Sequence, residues 1–269
     1  TVPIALADVR LTFSGAVEVP GELVYLHPEH NLAVVRYDPA LIGETPVRSA
    51  KLRDVDFESG DDVWLVGLTS TERLLSRRTR IARREPVQLS ATHPPRFREA
   101  NIEVASVEDP AQTVGGVLAD RWGRVIAFWA SFSMGGGAAE GFFGAIPAHH
   151  VSRMVDPLIE GEPVAWHSLG IEVEHLTLAG ARDRGLPEEQ ARRIERHDPR
   201  TKRVLSVVRR ASGLPGETLF AEGDLILALD GEPVSRVRDL YPATYGGEVA
   251  VDVLREGEIL RIDVAPGPM

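Results

Sequence analysis

Over roughly its first 160 residues the chain runs in short apolar stretches, each cut off by glycine or proline. That punctuation leaves room for little except an antiparallel barrel or sandwich. Val9-Arg10-Leu11-Thr12-Phe13 alternates apolar and polar side chains, the period of a strand with one buried face. Gly15 and the pair Pro20-Gly21 predict turns. Leu23-Val24-Tyr25-Leu26 and Leu32–Tyr37 read as two strands joined by His27-Pro28-Glu29-His30, whose histidines are expected in solvent on a surface turn. Asp62–Leu68 is a further strand, entered through Ser59-Gly60-Asp61. Ile102–Val107, Gly116–Leu118 and Arg124–Trp129 follow, and then a glycine-rich loop at Gly135–Gly137.

After this the period changes. Val151, Met154, Val155, Leu158 and Ile159 fall at helical spacing, predicting a helix over 148–159 that stops near Gly161. Pro163 marks a linker, so the expected division is 1–162 and 163–269. The second part reads as strand 169–173, helix 187–196, strands 204–208 and 225–229, a short helix 234–240, and a hairpin turned at Glu256-Gly257. In the strand 225–229, Leu225, Leu227 and Leu229 are expected on one face.

Composition removes several function classes. A net charge of −10 argues against a nucleic-acid partner or an anionic membrane surface. The cluster Arg73, Arg77, Arg78, Arg80, Arg83 and Arg84 reads first as a solvated strand or loop, and second as a polyanion or partner site. No cysteine is present, which excludes disulfides, thiolate metal sites and thiol catalysis. Lys51 and Lys202 are the only lysines, an arginine bias in keeping with a high-GC genome. No apolar run reaches the ~20 residues of a membrane helix. The chain starts at Thr1 without a signal-peptide pattern, as a processed product or an excised segment would. His149-His150 make a poor metal pair, since adjacent helical side chains diverge by ~100°, and a structural or capping role is expected. Gly135–Gly137 lacks the context of a phosphate cradle. No metal or cofactor is expected.

Three stretches together resemble the HtrA family, trypsin-like serine proteases with a C-terminal PDZ domain. His30-Asn31-Leu32-Ala33-Val34-Val35 is similar to the strand that carries the family's triad aspartate. Gln112-Thr113-Val114-Gly115-Gly116-Val117-Leu118, with Asp120 and Gly123-Arg124-Val125-Ile126 after it, is similar to the nucleophile loop and the strand that follows. Phe143-Gly144-Ala145-Ile146-Pro147 resembles the segment closing the second barrel, and Gly135–Gly137 would then be the loop shaping the primary specificity pocket. Phe97–Glu103 and the insertion Leu186–Arg200 resemble the degenerate second unit of fungal-type proteins built from tandem protease–PDZ units. The resemblance implies a mainly β fold: a trypsin-like double barrel, its first barrel incomplete, then an α+β PDZ domain.

Carried across by position, the nucleophile is Val114 and the triad carboxylate is Asn31, while the family's histidine would fall near or before Thr1. Valine has no lone pair to attack a carbonyl, and asparagine cannot stabilise an imidazolium by charge. Gln112, Thr113 and Gly115 remain as a vestigial oxyanion loop, with Gly115-Gly116 supplying unusual backbone angles. Rescue would need Thr113 as nucleophile, Asp38 as carboxylate, and His27 or His30 as base, several changes at once. The reading is a degenerate protease unit that binds peptides or proteins. The alternative is a quality-control endopeptidase using an unconventional nucleophile or a partner unit.

Ser168-Leu169-Gly170-Ile171 resembles the PDZ loop whose N–H groups receive a peptide's C-terminal carboxylate, and Val173 continues the strand beside which the peptide lies. Leu219–Val234 matches the family's Leu-x-x-Gly-Asp pattern most fully, and reports fold rather than ligand. Val237 and Leu240 would line the peptide's side-chain pocket, with Arg236 and Arg238 tuning its charge preference. Implied partners are peptide or protein C-termini, an active HtrA-type protease unit, or further copies of the chain. For a bacterial source the resemblance implies an extracytoplasmic, periplasmic location.

Overall fold

Apolar alternation at Val9–Phe13 (β1) is matched across an antiparallel ladder by β2 (Val17–Leu26), which pairs in turn with β3 (Ala33–Tyr37). A computed structural model describes residues 8–13, 15–87, 100–133 and 141–269, and within these the three strands form an open sheet in place of a first barrel. Pro20-Gly21 do not turn the chain; both lie inside β2, opposite Arg10 and Val9. Pro20 lies one residue beyond the last pairing with β3, so on that side its missing N–H costs the ladder nothing. Gly21 is a packing glycine, since a Cβ there would stand 2.5 Å from Leu11 Cδ1 and 2.6 Å from Val35 Cγ1.

The second barrel closes in the order β4 (Asp62–Leu68), β5 (Leu74–Pro86), β6 (Glu103–Val107), β9 (Gly141–Pro147), β8 (Val125–Ser133), β7 (Gly115–Ala119). Its interior is Val63, Leu65, Ile81, Ala105, Leu118, Ala127 and Trp129, all buried. All of the arginine cluster but Arg73 lies on β5, where the charges are matched in place: Arg77 by Asp109, Arg78 and Arg80 by Asp62, Arg83 by Glu85, Arg84 by Asp56. Helix α1 (Ala148–Glu160) ends at Gly161, which takes the left-handed conformation at φ 78°.

A separate compact unit holds, among the described residues, 86–87, 100–103 and 165–269. Its elements are β10 (His167–Ser168), β11 (Ile171–Thr177), α2 (Leu178–Asp183), α3 (Glu188–His197), β12 (Arg203–Arg210), α4 (Gly216–Leu219), β13 (Leu225–Leu229), β14 (Glu232–Pro233), a 3-10 helix (Val237–Tyr245), β15 (Val249–Arg255), β16 (Glu258–Val264) and β17 (Gly267–Pro268). The main sheet runs β11-β12-β13-β15-β16, which leaves β11 at an edge. Asp230-Gly231 and Glu256-Gly257 both have positive φ, as two-residue hairpin turns require.

Leu225, Leu227 and Leu229 do not share a face. A register shift between Ile226 and Ala228 sends Leu225 and Leu227 toward Leu178, Ala191 and Ile194 of α2 and α3, and Leu229 toward the cluster of Val237 and Leu240. The last helix starts later than the sequence suggests and winds as a 3-10 helix; Pro242 within it cannot donate the i→i−4 bond of an α-helix.

One buried ion pair anchors the turn before β13. Asp224, 1% exposed, accepts from Arg255 Nε at 2.8 Å and Nη2 at 2.7 Å, and from Ala221 N–H at 2.8 Å. Arg255→Ala strands that carboxylate, and a loss of about 2–3 kcal/mol is expected in a urea melt of the second unit. A loss below about 0.5 kcal/mol would place the pair among ordinary surface bridges.

Candidate functional site

Two places bear on function, one in each unit. In the first, Gln112, Thr113, Val114 and Gly115 lead into β7, where the resemblance puts a nucleophile loop. Val114 is 75% exposed, an apolar residue offered to solvent. Its N–H, one of the two that would face an oxyanion, donates to Leu68 O at 2.8 Å and is held in the barrel ladder. Thr113 is buried, and its Oγ1 finds no hydrogen-bond partner among the described residues. The second glycine is present for close approach rather than unusual torsion: a Cβ on Gly116 would lie 2.4 Å from Val66 O, and one on Gly67 would lie 2.5 Å from Gly115 O. The specificity-pocket loop at Gly135–Gly137, and Phe97–Glu99 of the second-unit likeness, lie outside the described residues.

Asn31 is exposed in the turn before β3. Asp38 is engaged elsewhere, accepting from Ala40 N–H at 2.9 Å to cap a short 3-10 turn. His27 and His30 are not solvated: they are 0% and 1% exposed, stacked with ring centroids 4.4 Å apart. His27 Nδ1 accepts from Glu29 N–H at 3.1 Å and His30 N–H at 2.9 Å, so the lone pair a general base would use is already bound. His150 stands edge-on to His30 at 5.0 Å, and His149 lies 4.2 Å from His150. Desolvation, followed by the charge of Arg153, pushes His27 down to about 4. Desolvation also holds His30 and His150 well below the usual histidine value. His27, His30 and His150 are a neutral core.

In the second unit the expected groove residues come together. Leu169, Ile171, Val173, Val237 and Leu240 belong to one buried cluster. Gly170 sits at φ +74°, where a Cβ would stand 2.5 Å from Leu214 Cβ, and its N–H donates to Ser168 Oγ at 3.1 Å. Every one of these side chains is buried, whereas an empty peptide groove would expose its lining. Arg236 turns toward Asp198, at 3.8 Å, instead of standing free beside a ligand.

Three residues at this site were invisible in the sequence. Asn101 Nδ2 donates to Ile171 O at 2.7 Å, and Asn101 Oδ1 accepts from Val173 N–H at 3.1 Å. Glu103 Oε1 accepts from Val237 N–H at 2.9 Å. His175 Nε2 lies 3.7 Å from the same oxygen; desolvation, then Arg203, pushes this histidine to about 4. An asparagine before a strand carries no local signal for any of this.

No family model matches the chain. A PDZ domain-containing protein of Schizosaccharomyces pombe is 32% identical over 273 residues, covering 100% of this chain and 27% of that protein. Protease Do-like 7 of Arabidopsis thaliana is 30% identical over 298 residues, 98% of this chain and 27% of its own. The pro-apoptotic serine protease NMA111 of Kluyveromyces lactis is 29% identical over 253 residues, 93% of this chain and 25% of its own. The chain thus spans about a quarter of the length of these curated relatives. Among solved structures, the HtrA-type protease AlgW with a tripeptide superposes with a TM-score of 0.60 at 21% identity, over 97% of this chain and 81% of its own. The same protease with a decapeptide gives 0.56 at 22%, over 98% and 76%.

Proposed function

This chain is homologous along its length to HtrA-type protease and PDZ-domain proteins and has their mainly β, trypsin-like fold; on that premise we propose that it captures peptide or protein C-termini without cleaving them. In this reading residues 1–162 are a catalytically degenerate protease-like domain and 163–269 the peptide-binding PDZ domain. Together they serve as a binding or regulatory scaffold for an active HtrA-type protease unit or for further copies of the chain.

The observation that carries the reading is the outer edge of β11. Ile171 O and Val173 N–H point away from the sheet and are taken by a side-chain amide, so this edge accepts the acceptor–donor pair that an added strand presents. Ser168, Leu169 and Gly170 form the turn where the terminal carboxylate would sit, and Val237 and Leu240 the pocket wall. The first unit supports the non-hydrolytic half: valine cannot attack a carbonyl, and its N–H is bonded to Leu68 O. A hydrolase working through Thr113 would need that buried hydroxyl to turn outward.

A pooled random decapeptide library, displayed once with free C-terminal carboxylates and once amidated, tests the proposal. Retention of the free-acid pool over the amidated pool is expected, by about tenfold, the value of one charge-assisted contact. Equal retention would remove carboxylate capture from the reading.

A further inference from the structure

An edge strand's outward N–H and C=O groups are satisfied by water, by another strand or by a cover. On β11 one such pair, Ile171 O and Val173 N–H, is covered from within the chain. Asn101 lends both halves of its side-chain amide, at 2.7 and 3.1 Å, to the two backbone groups that an incoming peptide residue would use. It stands at φ +51°, a left-handed conformation that asparagine tolerates better than other side chains apart from glycine. Ile102 beside it is 0% exposed, and its carbonyl accepts from Val87 N–H at 2.8 Å. Glu103, 3% exposed, sets a carboxylate oxygen on the N–H of Val237, which is 1% exposed and opens the 3-10 helix. Residues 100–103 therefore touch both elements that would flank a bound peptide, the β11 edge and the helix start, with polar groups matched in type and spacing. The seven residues expected to line the groove are buried.

We propose that residues 100–103 are a built-in occupant of the β11 edge, which a peptide C-terminus must displace before it can pair, so that capture is held back until this segment withdraws. The consequence for peptides rests on the capture reading; the occupancy itself does not. Asn101→Gly is the sharpest variant, because glycine keeps the positive φ and removes only the amide. Asn101→Asp keeps an acceptor for Val173 N–H but sets a second oxygen against Ile171 O.

The full chain is followed by amide hydrogen exchange in NMR at Val173 and Val237, with the free-acid decapeptide pool as binding probe. The expected result is exchange at Val173 about tenfold faster in Asn101→Gly, with the Ala221 amide, held by Asp224 before β13, unchanged as the folding control. Glu103→Ala should speed Val237 likewise, and Glu103→Gln, which keeps the acceptor, should not. Pool retention rises in Asn101→Gly alongside the exchange. Faster Val173 exchange with no gain in pool retention keeps the occupancy and sinks peptide capture. Unchanged exchange with pool binding by the parent chain keeps capture and overturns the occupancy. Unchanged exchange without binding overturns both, and an Asn101→Gly chain that fails to fold leaves the decision to Glu103→Ala read at the Val237 amide.

Discussion

Acidification from pH 7 to pH 4 is expected to unfold the first unit, with a loss of several kcal/mol, because its core contains histidines that cannot take up protons where they stand. His27, His30 and His150 are at most 1% exposed, gathered from the turn between β2 and β3 and from the first turn of α1. Arg153 and His149 on α1 repel a proton there; Asp54 lies 3.8 Å from His149, and Tyr25 stands edge-on to His27 at 6.3 Å. Their folded-state values lie below the unfolded 6.5, so between the two the unfolded chain binds more protons. Stability is therefore complete above about pH 6.5 and drains away as pH falls toward 4. His27, brought to about 4, alone accounts for roughly 3 kcal/mol. Tryptophan fluorescence in urea at successive pH values measures it, since Trp64, Trp122 and Trp129 report the first unit and only Trp166 the second. His30→Phe, which keeps an aromatic ring against its neighbours, should flatten the curve by about one proton. A flat profile between pH 7 and 5 in the parent chain would mean that water reaches these rings.

Gly116→Val is expected to cost about 3 kcal/mol or more and to open the barrel between β4 and β7. The neighbouring atoms are backbone and cannot step aside: Val66 O would lie 2.4 Å from the added Cβ, and Gly67 Cα 3.0 Å. Gly123→Ala, on the turn before β8 where no atom lies within 4 Å of the added carbon, is the control for a merely local cost. Its penalty comes from φ +76° alone and should stay near 1 kcal/mol. Equal melting losses for the two would show that β4 and β7 can separate freely.

These results also mark where sequence reasoning succeeds and stops. Strand Asp62–Leu68 keeps its predicted bounds because its alternation and its turn at Ser59–Asp61 are both local. The hairpins at Asp230-Gly231 and Glu256-Gly257, and the stop at Gly161, are legible for the same reason: each depends on a residue able to take positive φ. Pro20-Gly21 misleads because the close packing of Gly21 depends on Leu11 and Val35, which pairing rather than adjacency supplies. His27 and His30 read as solvated because their company on α1 lies more than a hundred residues away. Leu229 changes face through a bulge that no periodicity announces. The residues expected to take a peptide were named from their likeness to a known loop, whereas Asn101 and Glu103 reach Ile171 and Val237 from 70 and 134 residues away, beyond any local signal.

The central claim is that the first unit has the barrel of a serine protease without its chemistry. A fluorophosphonate serine-hydrolase probe, read by intact mass beside an active HtrA-type protease, tests it most directly. The prediction is an unlabelled chain and a labelled control. Val114→Ser should also remain unlabelled, because a hydroxyl alone restores neither the base nor the amide held by Leu68 O. A stoichiometric covalent adduct on the parent chain, at Thr113 or any other hydroxyl, would contradict the claim.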